Sequence, residues 1–244
     1  MFAQAASIRV MAPDNRLRST RDRPAKPPLS VAAIVEAALA VTQSEGLAAV
    51  TMRRVAAELD TGAASLYVYV RNRDELLIAM LDRATSTIVL VAPDSQHWRA
   101  QVHDLLGDSL KALASYPGLA AALPVEPPTT EHTLAFVENL LGILLAGGIT
   151  AQDAAWACDI LNMIVTATAS EADLRDAAGH TTDSYRNAAV QRMYATFSGQ
   201  PPERYPNVVA HAGGLVAGEG DDRFRFAVDT FLDGLVARSA RYGG

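Results

Sequence analysis

Ser65, Tyr67 and Tyr69 place three hydroxyls in a run of five residues. Each hydroxyl can donate and accept, so the set can meet base edges or phosphate oxygens. Leu66 and Val70 are interleaved with them, one helical turn apart, and suit inward packing. Such a segment must be a short helix presented by a neighbour. The residues before it supply one. Met52, Val55, Ala56 and Leu59 recur at helical spacing and can face a core. Thr51 can cap that helix by accepting a backbone N–H. Asp60-Thr61-Gly62 has the chemistry of a turn, because Asp and Gly tolerate unusual backbone angles. A helix, a tight turn and a second helix with a polar outer face is the pattern of a helix-turn-helix.

The flanks fit the same unit. Ser30 is placed to cap a preceding helix in which Ile34, Ala38 and Val41 share a face, flanked by Val35 and Leu39. Gly46 ends it. Downstream, Asn72 with Glu75 three residues on forms a capping-box arrangement. Asp74 and Glu75 also suit the positive end of a helix dipole. A long helix is therefore expected to start near Arg73.

From about Leu29 to about Leu81 the chain resembles the DNA-binding domain of TetR-family (tetracycline-repressor-like) regulators. The resemblance rests on Gly46-Leu47, on Thr51-Met52-Arg53-Arg54-Val55-Ala56, on Ser65-Leu66-Tyr67, and on Asn72-Arg73-Asp74-Glu75-Leu76. It implies a recognition helix that reads DNA through Ser65, Tyr67 and Tyr69, with Ala63 close to the base edges. It also implies that Met52 and Arg53 approach the DNA from the first short helix, and that Arg73 reaches a phosphate. Tyr67 has a competing role: its ring can pack beneath the helix while its hydroxyl touches phosphate. Two residues depart from the pattern. Asp60 stands where the family usually has Gly, and Thr61 where it usually has an apolar residue. Asp enters the left-handed region more readily than most residues, so the turn is expected to survive. An acid beside the phosphates is expected to weaken binding modestly.

Charge is divided along the chain. Up to Leu90 there are eleven Lys and Arg against nine Asp and Glu; beyond it there are ten against eighteen. The net charge of −6 is thus carried by the part that need not meet phosphate. With 244 residues the chain is too long for a helix-turn-helix alone. Residues 1–28 hold Arg16, Arg18, Arg21, Arg23 and Lys26 among Pro, Ser and Asp, and are expected to be a disordered basic arm. That arm is either a plain leader or a segment that lies along the DNA. Residues 29–90 are expected to be the helix-turn-helix domain with its linker helix, and 91–244 a helical ligand-binding and dimerisation domain.

The second half is helical throughout in pattern, so the fold class is all-α. Helices are expected over His97–Ser115, Leu119–Leu123, Thr130–Ala146, from Thr150 to about Ser170, Ser184–Phe197 and Arg223–Arg238, with Glu171–Thr182 ambiguous and Gly199–Asp221 rich in turns. The final segment, Arg223 to Leu235, and Tyr205-Pro206-Asn207 resemble the tetracycline-repressor-type C-terminal domain. This implies that the helix after Thr150 and the final helix pack against their mates in a four-helix bundle. The apolar stripes Trp156/Ile160/Met163/Ala167 and Phe224/Val228/Phe231/Leu235 are the surfaces expected to do so, although Phe231 also suits the subunit's own core.

Other chemistry finds little support. None of the five histidines is paired at i, i+3 or i+4, no Cys-x-x-Cys occurs, and no phosphate loop or nucleophile elbow is present. No metal, cofactor or catalytic residue is expected, and the chain is not expected to be an enzyme. Cys158 is either a buried apolar filler or a redox sensor. Met1–Val10 lacks the features of a signal peptide, and no apolar run spans a membrane, so a cytoplasmic protein is expected. His103, Phe136, Asn139, Trp156 and Met163 are the candidates for lining one largely apolar small-molecule site; each also suits an ordinary core position. The resulting expectation is a homodimeric repressor released from a palindromic DNA operator by a small-molecule inducer. The alternatives are a regulator controlled by a protein partner or by no ligand, and a helical enzyme or carrier with a vestigial DNA-binding domain.

Overall fold

The computed structural model describes residues 28–122, 130–177 and 183–242. The basic arm therefore falls outside the described residues, apart from Pro28, and so do Pro124, Pro127, Pro128 and His180. Every regular element among the described residues is helical: α1 (Val31–Glu45), α2 (Met52–Glu58), α3 (Ala63–Leu66), α4 (Arg73–Thr85), α5 (Trp98–Ala114), α6 (Glu131–Ala146), α7 (Ala151–Ala177), α8 (Asp183–Ser198), α9 (Pro206–Ala210), α10 (Ala212–Val216) and α11 (Gly220–Tyr242). Short 3-10 turns at Leu47–Ala49 and Ala120–Ala122 complete the set.

Side-chain caps fix the boundaries of the first helices. Ser30 Oγ accepts from the Ala33 N–H at 3.1 Å, and Thr51 Oγ1 accepts from the Arg54 N–H at 3.1 Å. Gly46 ends α1 with φ 83°, and its N–H donates to the Thr42 carbonyl at 2.9 Å. At α4, Asn72 Oδ1 accepts from the Glu75 N–H at 2.8 Å, while the Glu75 carboxylate accepts from the Arg71 N–H at 2.6 Å. The reciprocal pair is a capping box shifted outward by one residue. α4 begins at Arg73, as its cap requires.

Two apolar clusters hold the chain together. The first joins α1 to α4 around Ile34, Leu66, Leu76, Leu77 and Met80, all fully buried. The second joins α5, α6, α7 and α11 around Leu106, Leu140, Ile143, Leu144, Leu161 and Leu232. By contrast, α8, α9 and α10 pack chiefly on one another.

Two expectations need correction. The stripe Phe224/Val228/Phe231/Leu235 is not an outer face: Val228 and Leu235 are buried in the second cluster, and Phe224 and Phe231 pack against it. α11 lies on α7 and α5, so its apolar side is consumed within the subunit. Of the helix expected over Leu119–Leu123, whose last residue lies outside the described residues, Ala120–Ala122 form a 3-10 turn, and Leu119 does something else. It is fully buried in the first cluster, among the helix-turn-helix residues, though it follows α5 in the chain. Gly118 makes this possible with φ 84°, a conformation open to Gly. Its N–H donates to Asp173 Oδ2 of α7 at 2.7 Å. α7 thus anchors the turn that drives Leu119 into the N-terminal core.

Leu119→Ala should therefore destabilise the protein by about 3 kcal/mol, the usual cost of such a cavity, whereas truncating the exposed Leu134 should change little, by about 0.5 kcal/mol at most. The measurement is urea unfolding with amide hydrogen exchange. The lost protection should concentrate in α1 and α4.

Candidate nucleic-acid interface

The turn between α2 and α3 forms on its own terms. Asp60 is at φ 48°, the left-handed region, and is the one non-glycine residue with positive φ among the described residues. The Thr61 N–H closes the α2 terminus by donating to the Ala56 carbonyl at 2.9 Å. α3 covers only Ala63–Leu66; residues 67–69 continue as turns, with the Val70 N–H donating to Leu66 O at 2.9 Å. Leu66 and Val70 are buried, and Ser65, Tyr67 and Tyr69 face out. Tyr67 is 52% exposed, so its ring is not wholly committed to packing beneath the helix. Ala63 is half-buried at the start of α3. Met52 is buried at the start of α2, so it positions the helix end more than it presents a surface.

The arginines divide by their partners. Arg54 is held by two carboxylates: its Nε donates to Glu45 at 2.9 Å and Nη1 to Glu58 at 2.9 Å. Those bonds hold the Glu45 carboxyl below its ordinary range and raise the Arg54 guanidinium still further. Arg71 pairs with Glu75, and Arg83 with Glu36. Arg53 and Arg73 are the cations of this region without a carboxylate partner among the described residues. Both are exposed. Arg73 also donates from Nε to the Val50 carbonyl at 3.3 Å, which ties the side chain to the residue before the α2 N-cap. Two unpaired guanidiniums beside an outward row of hydroxyls can bind phosphate and hold those hydroxyls against base edges.

Comparison with known proteins agrees with this geometry. Residues 34–80 match the family described as bacterial regulatory proteins, tetR family, and residues 92–239 match the tetracyclin repressor-like C-terminal domain. The chain belongs to the TetR family. It is a DNA-binding transcriptional regulator. It is 31% identical over 226 residues to the transcriptional repressor DrrR1 of Streptomyces coeruleorubidus, covering 90% of this chain and 82% of the relative. A transcriptional regulator of Saccharopolyspora erythraea is 27% identical over 222 residues, covering 90% and 88%. Among solved structures, apo ActR from Streptomyces coelicolor superposes with a TM-score of 0.78 at 29% identity, over 88% of this chain and 98% of ActR. ActR in complex with actinorhodin gives 0.78 at 30% identity, over 86% and 97%.

In the C-terminal half of this TetR-family chain, the five residues expected to line one site are not gathered together. His103 lines a solvent-open cleft of about 430 Å³ with Val89, Val91, Gln101, Leu105 and Lys111. Its Nε2 faces Asp229 Oδ1 at 2.7 Å, tying α5 to α11. Asn139 is not part of that lining but holds one of its residues: its Nδ2 donates to the Val91 carbonyl at 2.7 Å, and its Oδ1 is buried without a partner. Phe136 packs half-buried against the second apolar cluster. Trp156 and Met163 lie elsewhere, on the outer face of α7, 56% and 61% exposed. Helical spacing put all five on plausible stripes but could not say which side of α7 the rest of the subunit would cover. The segment 86–97 was missed as a site element because it has no periodicity. Gln101 straps it down by donating to the Ala92 carbonyl at 2.8 Å and accepting from the Asp94 N–H at 2.9 Å. Burial pushes the Cys158 thiol up to about 11, so it stays protonated near neutral pH, which favours the filler over the sensor. Among the described residues no group of His, Cys, Asp and Glu is placed to hold a metal ion, and no helix is long and apolar enough to cross a membrane.

Arg53→Ala should weaken binding to every DNA sequence and flatten the plot of log affinity against log salt by about 0.9 per lost phosphate contact, hence about 1.8 for two subunits. Arg54→Ala should lower the thermal midpoint and leave the salt slope alone. If the two variants behave the other way round, Arg54 is the phosphate ligand and this docking of α2 is wrong.

Proposed function

We propose that the protein is a cytoplasmic homodimeric repressor that leaves a palindromic operator when a small, largely apolar molecule binds its C-terminal half. In this reading residues 29–90 are the DNA-reading domain and 91–244 the ligand and dimerisation domain. Ser65, Tyr67 and Tyr69 meet base edges, with Ala63 close by. Arg53 and Arg73 hold phosphates, and Met52 seats the end of α2. The reading is carried by the row of exposed hydroxyls flanked by two unpaired guanidiniums. The similarity to DrrR1 supports repression, and the similarity to ActR bound to actinorhodin supports a small-molecule signal.

His103, Asn139 and Phe136 are retained as ligand residues. His103 lines the cleft beside α5, Asn139 holds the carbonyl of Val91 from that lining, and Phe136, on the same helix as Asn139, packs against the second apolar cluster. Trp156 and Met163 are reassigned to the dimer. Together with Ile160 they form an exposed apolar strip on α7, and Phe226 and Val236 lie exposed on the neighbouring α11. A strip of that kind in a two-fold interface would bury against its own copy.

A ligand can release DNA only to the extent that it prefers the non-binding conformation. A hundredfold loss of operator affinity needs about 2.7 kcal/mol of such preference. With an operator selected from random duplex DNA, actinorhodin used as the probe should weaken binding at least about tenfold, a coupling of about 1.4 kcal/mol. The variants Phe136→Ala and Asn139→Ala should blunt that effect while sparing binding without the probe. An operator bound tightly and with a steep salt dependence, yet indifferent to actinorhodin and to a panel of other aromatic compounds, would point to control by a protein partner instead. Turnover of a bound compound with weak, salt-insensitive DNA binding would point to the enzyme alternative.

The dimer has its own test. The wild type should sediment as a dimer at micromolar concentration, and Trp156→Glu, which buries an unpaired charge in the interface, should give a folded monomer with much weaker operator binding. A wild-type protein that is monomeric and folded under those conditions would sink the assignment of the α7 strip.

A further inference from the structure

Val68 is the most exposed large apolar residue among those described, with 80% of its surface open. It sits between Tyr67 and Tyr69 on the recognition element. The backbone there is a turn that closes on the end of α3: the Tyr69 and Val70 N–H groups both donate to the Leu66 carbonyl at 2.9 Å. Leu66 and Val70 point into the core, 0% and 1% exposed. Val68 is therefore the residue of this turn aimed most directly away from the protein.

Its neighbours carry hydroxyls and can meet several base edges or the backbone. Val68 has two methyls and no hydrogen-bonding atom. In the major groove one base feature complements such a side chain, the 5-methyl of thymine. We propose that Val68 is a specificity-determining residue that selects a thymine in each half-site by covering its methyl group. This rests on the reading of α3 as the recognition helix and adds to it a residue that pairs by shape and apolar contact. A polar base edge pressed against Val68 would lose water and gain no partner, so the same side chain also acts against cytosine and guanine at that step.

The experiment uses the full chain and an operator obtained by selection from random duplex DNA. Thymines are replaced by deoxyuridine in symmetric pairs, one pair at a time, which removes the methyl and keeps every hydrogen-bonding group. For wild type, one pair should weaken binding by about fourfold per methyl, hence about fifteenfold for the palindrome, the value of burying one carbon group at each half-site. Val68→Ser should bind the thymine and deoxyuridine operators equally, within about twofold, closing a double-mutant cycle on that pair. The salt slope of Val68→Ser should equal that of wild type, since no phosphate contact changes. The proposal is overturned if no pair is sensitive to the methyl, or if Val68→Ser keeps the wild-type discrimination at the sensitive pair. Selection that yields no preferred duplex at all would overturn the operator reading itself, and is told apart from those outcomes by the absence of any specific site.

Discussion

Asp82 ties the two halves of this fold together. It lies on α4, the helix that carries Arg73, yet it caps a helix of the other half. Oδ1 accepts from the His132 N–H at 3.1 Å, and Oδ2 faces His132 Nδ1 at 2.9 Å. Burial works to raise this carboxyl, but hydrogen bonds from Thr130 and His132 prevail and hold it below its ordinary range. Thr130, at the N-cap of α6, makes no capping bond of its own. One orphan donor of α6, the His132 N–H, and the positive end of its dipole are thus served by a carboxylate from α4. α6 and α4 are joined by directional bonds to a carboxylate. Leu119 supplies the second connection, from α7 through Asp173 and Gly118 into the helix-turn-helix core. The two routes have different character. A capped helix end resists rotation and translation, while a buried leucine resists separation but tolerates small tilts.

Electrostatics in the reading head are local. Residues 29–90 hold five Lys and Arg against seven Asp and Glu, so this stretch is not basic on balance. The excess found up to Leu90 comes from 1–28, with six cations against two carboxylates. A head of this kind cannot rely on a broad positive field to meet DNA. It instead neutralises its acids internally, Glu45 and Glu58 on Arg54, Glu75 on Arg71, Glu36 on Arg83, and leaves Arg53 and Arg73 without such partners. In the proposed dimer, two such point contacts per subunit would give register more than raw affinity, and pairing two subunits would double them.

The N-terminal architecture was legible because its signals are short-range. A cap, a turn residue and a four-residue apolar spacing are each decided by nearest neighbours, and Ser30, Thr51, Asp60 and Asn72 all act as their side chains dictate. The end of the recognition element was less so: α3 tightens into turns after Leu66, because the chain must bring Val70 back to the core before α4 begins. In the second half, helices α5, α6 and α7 were visible from periodicity, but which side of each helix meets which neighbour was not. Asn139 reads as a candidate ligand residue, and periodicity gave no sign of its bond to Val91 of an aperiodic strap. Phe224, Val228 and Leu235 read as an outer stripe and are core. Periodicity reports that a face is apolar and carries no information on what covers it.

The two sides of α7 show what sets that choice. Facing the subunit are Ala154, Ala157, Leu161, Val165 and Ala169, mostly small residues that let α5 and α11 approach closely. Facing out are Trp156, Ile160 and Met163, which are too large for that contact. A helix apolar on both sides is normally buried on both. A polar clasp lies at the start of the helix, where the buried Asp153 accepts from Arg238 Nε at 2.7 Å and from Ser239 Oγ at 3.1 Å. That clasp fixes the end of α11 against α7, and it also brings the Arg238 guanidinium to 5.9 Å from the centre of the Trp156 ring. α7 and α11 are therefore locked as one unit before any partner is met. The proposed dimer would then join two preformed pairs, and the orientation of each reading head would follow from α7 through Asp173 and Gly118 without any further hinge.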